Sequence, residues 1–141
     1  MVPATDVEAV TIMGDLWRLG DHSLLCADAT SREALDTVLG GKGADMVFCD
    51  PPFNCAYVGR TPNKLRIVND TLGEKFYEFL RQACDHMIAV CRGAVYICMS
   101  SVELHTLFRA FTDAGGHFST FLAPPVIAAV LQSFQPLQPR L

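Results

Sequence analysis

Ala44-Asp45-Met46-Val47-Phe48-Cys49-Asp50-Pro51-Pro52-Phe53 is the stretch on which the fold turns. Ala44 to Cys49 is an apolar run with one acid, Asp45, short enough for a buried strand. It ends at a carboxylate followed by two prolines, which have no amide proton and hold the residues before them extended, so the strand stops in a rigid turn. In open α/β sheets ligands bind at the carboxyl ends of strands, and Asp50 stands at such an end. The same four residues also read simply as a turn after a strand.

Outward from this stretch the pattern alternates. Upstream, Leu16–Leu19 and Ser23–Cys26 flank Gly20-Asp21-His22 and predict a hairpin. Thr30 and Glu33 have capping-box spacing ahead of a helix over Ser31–Leu39, which Gly40, Gly41 and Gly43 stop. Downstream, Thr71 and Glu74 repeat that spacing before a long amphipathic pattern, Phe76, Phe79, Leu80, Ala83, Met87 and Val90. Ala94–Met99 is a second buried-strand candidate. Ser100 and Glu103 then cap a third helix with Leu104, Leu107, Phe108 and Phe111 inward, and His117–Leu122 is a last strand candidate. Strand and helix in alternation predict a parallel sheet with crossover helices, hence an α/β fold with an N-terminal hairpin.

The bulk numbers narrow the function. A chain of 141 residues holds one domain, and half of it is hydrophobic, which excludes general disorder. A formal charge of −4 excludes a broad basic surface for nucleic acid, so any phosphate contact must be local. Six cysteines form no CxxC pair and four histidines stand singly, so no metal site is expected; reduced, buried thiols in a cytoplasmic protein are. Met1–Val10 has acids at Asp6 and Glu8 and no basic segment, unlike a secretory signal, and the uncharged stretch Ala114–Pro139 is too broken by Gly, Pro, Gln and Ser for a membrane span. From Ala114 onward Arg140 is the one formal charge, and Pro124, Pro125, Pro136 and Pro139 supply half of the chain's eight prolines.

Asp50-Pro51-Pro52-Phe53 after a hydrophobic strand resembles the catalytic motif, (Asp/Asn/Ser)-Pro-Pro-(Tyr/Phe/Trp), of the DNA methyltransferases that act on adenine N6 or cytosine N4. Gly14-Asp15-Leu16-Trp17-Arg18-Leu19-Gly20, Leu24–Ala29 and Ile67-Val68-Asn69-Asp70 are similar to segments flanking that motif, so the resemblance covers about Gly14 to Leu122. It implies a partial Rossmann-like methyltransferase sheet over residues 14–122, with S-adenosylmethionine as donor and DNA as partner.

The implied chemistry suits the residue types. An exocyclic base amine is a weak nucleophile because its lone pair is delocalised into the ring, and acceptors for its N–H groups favour a pyramidal nitrogen. Asp50 supplies a carboxylate, and the resemblance implies that the Pro51 carbonyl is the second acceptor, with Pro52 restricting the backbone. Phe53 offers a face to a base flipped out of the duplex. Transfer is then a direct displacement governed by proximity and orientation. Asp at position 50 favours adenine. No cysteine has a proline neighbour, so carbon-5 cytosine methylation is not expected.

By the same resemblance Asp28 and Asp50 contact the donor, although Asp28 also reads as a solvated residue before a helix cap. Between Pro51 and Asn69 there is no acid, and Arg60, Lys64 and Arg66 give a local charge of +3, either a phosphate contact beside the flipped base or a solvated cluster. The family also has a Phe-x-Gly-x-Gly donor loop, which this sequence lacks; Gly41-Lys42-Gly43 follows a helix and precedes a strand, the reverse of the required order. In the permuted β class the catalytic motif comes first, so the chain reads as the N-terminal part of such an enzyme. An atypical tail over 123–141, a frameshift or truncation, and weak or no activity alone are expected. A complementary C-terminal half or a second copy is then the expected partner. The alternative is a non-catalytic module that binds DNA or a partner subunit through residues 51–69 and a free sheet edge.

Overall fold

The computed structural model describes residues 10–60 and 64–122. The expected tail, 123–141, lies outside the described residues, as do residues 61–63 within the loop.

Leu16–Leu19 (β1) and His22–Leu25 (β2) pair antiparallel, with Leu16 opposite Leu25 and Leu19 opposite His22. Gly20 sits at φ 64°, a conformation that a tight hairpin turn needs and glycine adopts without steric cost. The second strand starts one residue earlier than the apolar pattern places it. Bonds from Gly14 N to Cys26 O (2.7 Å) and from Cys26 N to Asp15 O (3.0 Å) continue the ladder beyond the strands.

Helix α1 spans Arg32–Leu39 and its cap is Ser31, whose Oγ accepts the Ala34 amide at 3.3 Å. The capping-box spacing from Thr30 is therefore off by one residue. Thr30 instead donates its amide and hydroxyl to Asp28 Oδ1, at 2.9 and 2.8 Å. Gly40, at φ 60°, closes the helix by giving its amide to the Asp36 and Thr37 carbonyls.

Val47–Cys49 (β3) and Val95–Ile97 (β4) pair in parallel, Val47 opposite Val95 and Cys49 opposite Ile97. A parallel pair needs a crossover, and helix α2, Phe76–Val90, supplies it. Ala44 bridges Cys91 in the same sense ahead of the strands. Where the chain turns into β4, a Cβ on Gly93 would run into the Asp45 carbonyl oxygen, so this approach requires glycine.

The core is small and belongs mainly to α2. Phe76, Leu80, Cys84, Met87 and Val90 are buried at steps of four and three, the spacing of one helix face. Helix α3, Leu104–Asp113, packs on α2, and its Ala110 is fully buried beside Phe76 and Leu80. Removing a side chain such as Leu80 from water contributes about 1.5–3 kcal/mol.

Further expectations need correction. A 3-10 turn over Gly73–Lys75 leads into α2 with no side-chain cap, so Thr71 and Glu74 do not form the expected box. Glu103, not Ser100, stands at the cap position of α3, again with no side-chain cap bond, and Phe108 is 46% exposed, not inward. His117–Leu122 is not a strand. Its aromatic residues find partners outside any sheet: the Phe118 ring meets Phe108 edge-on at 5.4 Å and Phe121 at 4.7 Å.

Among the described residues the architecture is mixed α/β, with two two-stranded sheets and three α-helices. No described helix is long and apolar enough to cross a membrane.

Candidate functional site

The parallel ladder runs to the last residue before the candidate motif. Cys98 N donates to Cys49 O at 2.8 Å, so Asp50 leaves the sheet at its carboxyl end, where the sequence places it. Asp50 is exposed, and Pro51, Pro52 and Phe53 are half-buried behind it. With Tyr57 and Ile67 these residues line an open, mainly apolar cleft of about 330 Å³. The four catalytic candidates thus share one cleft wall.

The floor of that cleft includes Asp70, which is 1% exposed. Its Oδ1 accepts the amides of Phe53 (3.0 Å) and Cys55 (3.2 Å), and its Oδ2 accepts the Tyr57 amide at 2.6 Å. The Cys55 thiol donates to Oδ2 at 3.4 Å. The Tyr57 amide above all, with the other donors, holds the Asp70 carboxyl below its ordinary value against the opposing effect of burial. Together these donors outweigh desolvation.

Asn54 faces the other way. Its Oδ1 accepts Gly73 N at 2.9 Å, and its Nδ2 donates to Glu103 Oε1 at 2.9 Å. These residues, with Tyr77, Thr106 and Arg109, border a second open cleft of about 480 Å³. Glu103 Oε2 takes the Thr106 hydroxyl at 2.6 Å, and the Thr106 and Asn54 bonds together hold the Glu103 carboxyl below its usual range. Across the cleft the Arg109 guanidinium lies 4.8 Å from the Tyr77 ring centre, while the Tyr77 hydroxyl donates to Asp113 at 2.6 Å. That bond pushes the Tyr77 phenol up.

The remaining candidates lie apart from Asp50. Asp28 is exposed, lines neither cleft, and its carboxylate is engaged by Thr30, whose amide and then hydroxyl lower its pKa. Arg60, Lys64 and Arg66 are exposed, and none has a carboxylate partner among the described residues. Their loop folds back on itself through a Val58–Arg66 bridge and a bond from Gly59 N to Leu65 O at 2.8 Å.

All six cysteines are free. Cys84 is buried, and desolvation pushes its thiol up to about 12. Burial also raises Cys49 and Cys98, with Asp50 adding to the effect. The expectation of buried thiols is met fully by Cys84 alone: Cys26, Cys49, Cys91 and Cys98 are half-buried, and Cys55 is exposed because its loop lies on the surface. His86 Nδ1 contacts Thr30 O at 2.8 Å, a structural role; the other three histidines are exposed. No group of metal-ligating side chains occurs among the described residues.

Asp70, Asn54 and Glu103 are the site residues that the sequence reading does not single out. An acid after the apolar pair Ile67-Val68 and an asparagine directly after the motif were the available signals. Compared with protein-family models, with curated proteins and with solved structures, the chain matches none.

Proposed function

We propose that the Asp50–Phe53 turn is the base-amine site of a methyltransferase of the amino-group DNA type, acting on adenine N6, within a partial Rossmann-like sheet. The observation that carries this reading is the cleft itself: a carboxylate at the end of a parallel strand, on the rim of an apolar wall built by Pro51, Pro52, Phe53, Tyr57 and Ile67. A planar base fits apolar and aromatic walls, and its amine needs the one carboxylate at the rim.

S-adenosylmethionine, when bound, supplies an electrophilic methyl group on a sulfonium. The residues around the cleft suit that cationic end, since a carboxylate and two aromatic rings lie together there. The nucleoside end has no acid besides Asp50 and Asp70, and no glycine-rich turn, along the cleft walls. Asp50 accepts a hydrogen bond from the amine and draws its nitrogen towards a pyramidal geometry. With a donor bound, the methyl group would pass from the sulfonium to the amine in a single displacement, leaving a neutral thioether, and Asp50 would take the surplus amine proton and release it to solvent. The basic loop with Arg60, Lys64 and Arg66 suits phosphates flanking the base.

A second reading has its own support. Phe48 and Met46 are 68% and 57% exposed and Tyr96 is 42% exposed, so an apolar part of the β3–β4 region is uncovered among the described residues. That favours a binding module seated against a partner subunit without catalysis, with any DNA contact left to the basic loop of residues 51–69. Calorimetric titration with S-adenosylmethionine of the full chain, alone and with an added donor-binding half from a β-class enzyme, separates the readings: heat of binding that Asp50→Ala reduces supports the first, and no methyl transfer in either case leaves the second.

A further inference from the structure

Asn54 and Ala56 have φ of 56° and 55°, whereas Phe53, Cys55 and Tyr57 keep ordinary negative values. Residues with a Cβ seldom adopt the left-handed region, and alanine has no polar side chain to offset the cost. Its presence at position 56 therefore asks for a cause. Alternation of right- and left-handed residues turns every second amide to the same side of the chain, producing a concave row of N–H donors that suits an anion.

That row is filled. The amides of Phe53, Cys55 and Tyr57, every second residue, converge on the Asp70 carboxylate, and the Ala56 amide between them donates to the Asp70 carbonyl oxygen at 2.8 Å. Asp70 is also the one buried charged residue among those described, and it has a partner for every acceptor it turns inward. The geometry points to residues 53–57 as an anion-binding nest occupied from within by Asp70, which thereby acts as the positioning residue of the Asp50–Phe53 turn.

The anion explains the strain. Without a carboxylate at position 70, three converging donors share at most one neutral acceptor, and the left-handed Ala56 keeps only its bond to the residue-70 carbonyl. With it, the end of the candidate motif is pinned at Phe53 N by a residue 17 positions further along the chain, which fixes the wall that Phe53 contributes to the cleft. The positioning role rests on the proposed site; the nest does not. An asparagine keeps the shape and loses the charge. A glycine removes the side chain and leaves room for a small carboxylate from solution.

The test uses the full chain with Asp70→Asn and Asp70→Gly, in sodium formate or in sodium chloride at matched ionic strength, and no methyl donor. Backbone amide resonances of Phe53, Cys55 and Tyr57 and the thermal midpoint are recorded. The nest predicts that all three amide protons lie downfield in the unaltered chain and move upfield together in Asp70→Asn, while resonances of the α2 core stay in place. Formate should return them in Asp70→Gly and raise its midpoint by several degrees relative to chloride, with no such effect on the unaltered chain. Unchanged amide shifts in Asp70→Asn, or a formate effect equal in all three proteins, would overturn the proposal. Should Asp70→Gly not fold, the Asp70→Asn spectrum decides alone. Loss of methyl transfer elsewhere leaves this outcome untouched, and failure of the nest leaves the methyltransferase reading standing.

Discussion

Asn54 Nδ2 lies 2.9 Å from Glu103 Oε1, so the residue that follows Asp50-Pro51-Pro52-Phe53 is bonded directly to the residue that opens α3. The strand-end turn is therefore tied at two points, to the acid before α2 and to the acid before α3. Neither tie runs through the sheet.

Asn54 holds a left-handed backbone as well as side-chain bonds to Gly73 and Glu103, and the two contributions can be separated. Asn54→Gly keeps the φ and loses the bonds, at a cost of about 1 kcal/mol. Asn54→Ala loses the bonds and adds the strain of a left-handed alanine, about 1–2 kcal/mol more. Urea unfolding midpoints should fall in the order wild type, glycine, alanine. An alanine variant as stable as the glycine variant would show that the φ is not enforced.

Acid should weaken the fold through the same two ties. Asp70 and Glu103 both have carboxyls lowered from 3.8 and 4.5, so each contributes stability that is complete above its unfolded value and is lost as pH falls through the folded one. Unfolding free energy should stay level down to about pH 5 and then decline. Asp70→Asn should decline less steeply from a lower starting point. In alkali the sign reverses for Tyr77, whose raised phenol contributes below pH 10.0 and ceases to as pH rises through its folded value; Tyr77→Phe should lack that loss.

Thiol labelling should follow exposure. Cys55 is exposed and Cys84 is buried with its thiol pushed up to about 12, so iodoacetamide should modify Cys55 first and Cys84 only after unfolding. Mass spectrometry of peptides at successive times reads the order directly. Early modification of Cys84 would contradict the packing of α2.

If residues 58–66 touch phosphate, DNA affinity should depend on salt through few contacts. Replacing Arg60, Lys64 and Arg66 one at a time by Ala should lower the slope of log affinity against log salt by about one unit each, alike for all sequences. Equal slopes before and after replacement would make the cluster a solvated one.

The fold was legible where apolar spacing dominates. The parallel pair, α2 and the hairpin follow from runs such as Val47–Cys49 and the face Phe76, Leu80, Met87 and Val90, because burial sets those periods. Helix starts were not, since Thr30 and Thr71 have the residue types of a cap but their neighbours compete for the same bonds: Asp28 captures Thr30, and the 3-10 turn at Gly73 supplants any box from Thr71. The last strand candidate failed because alternating aromatic residues serve ring packing as well as a sheet. Of the candidate site, the position of Asp50 at a strand end could be read in the sequence. The clasp of Asn54, Asp70 and Glu103 could not, because it joins residues up to 49 apart, through a side-chain bond from Asn54 to Glu103 and through backbone amides donated to Asp70, that no local pattern encodes.

The central claim is that the Asp50–Phe53 turn activates a base amine for methylation. Methyl incorporation into adenine-containing duplex DNA from labelled S-adenosylmethionine measures this most directly, with the chain assayed alone and with an added donor-binding half from a β-class enzyme. The account predicts incorporation into adenine N6 in the supplemented reaction, lost with Asp50→Ala and retained with the thiol variant Cys55→Ser. Absence of incorporation in every combination, or incorporation that is indifferent to Asp50, would contradict it.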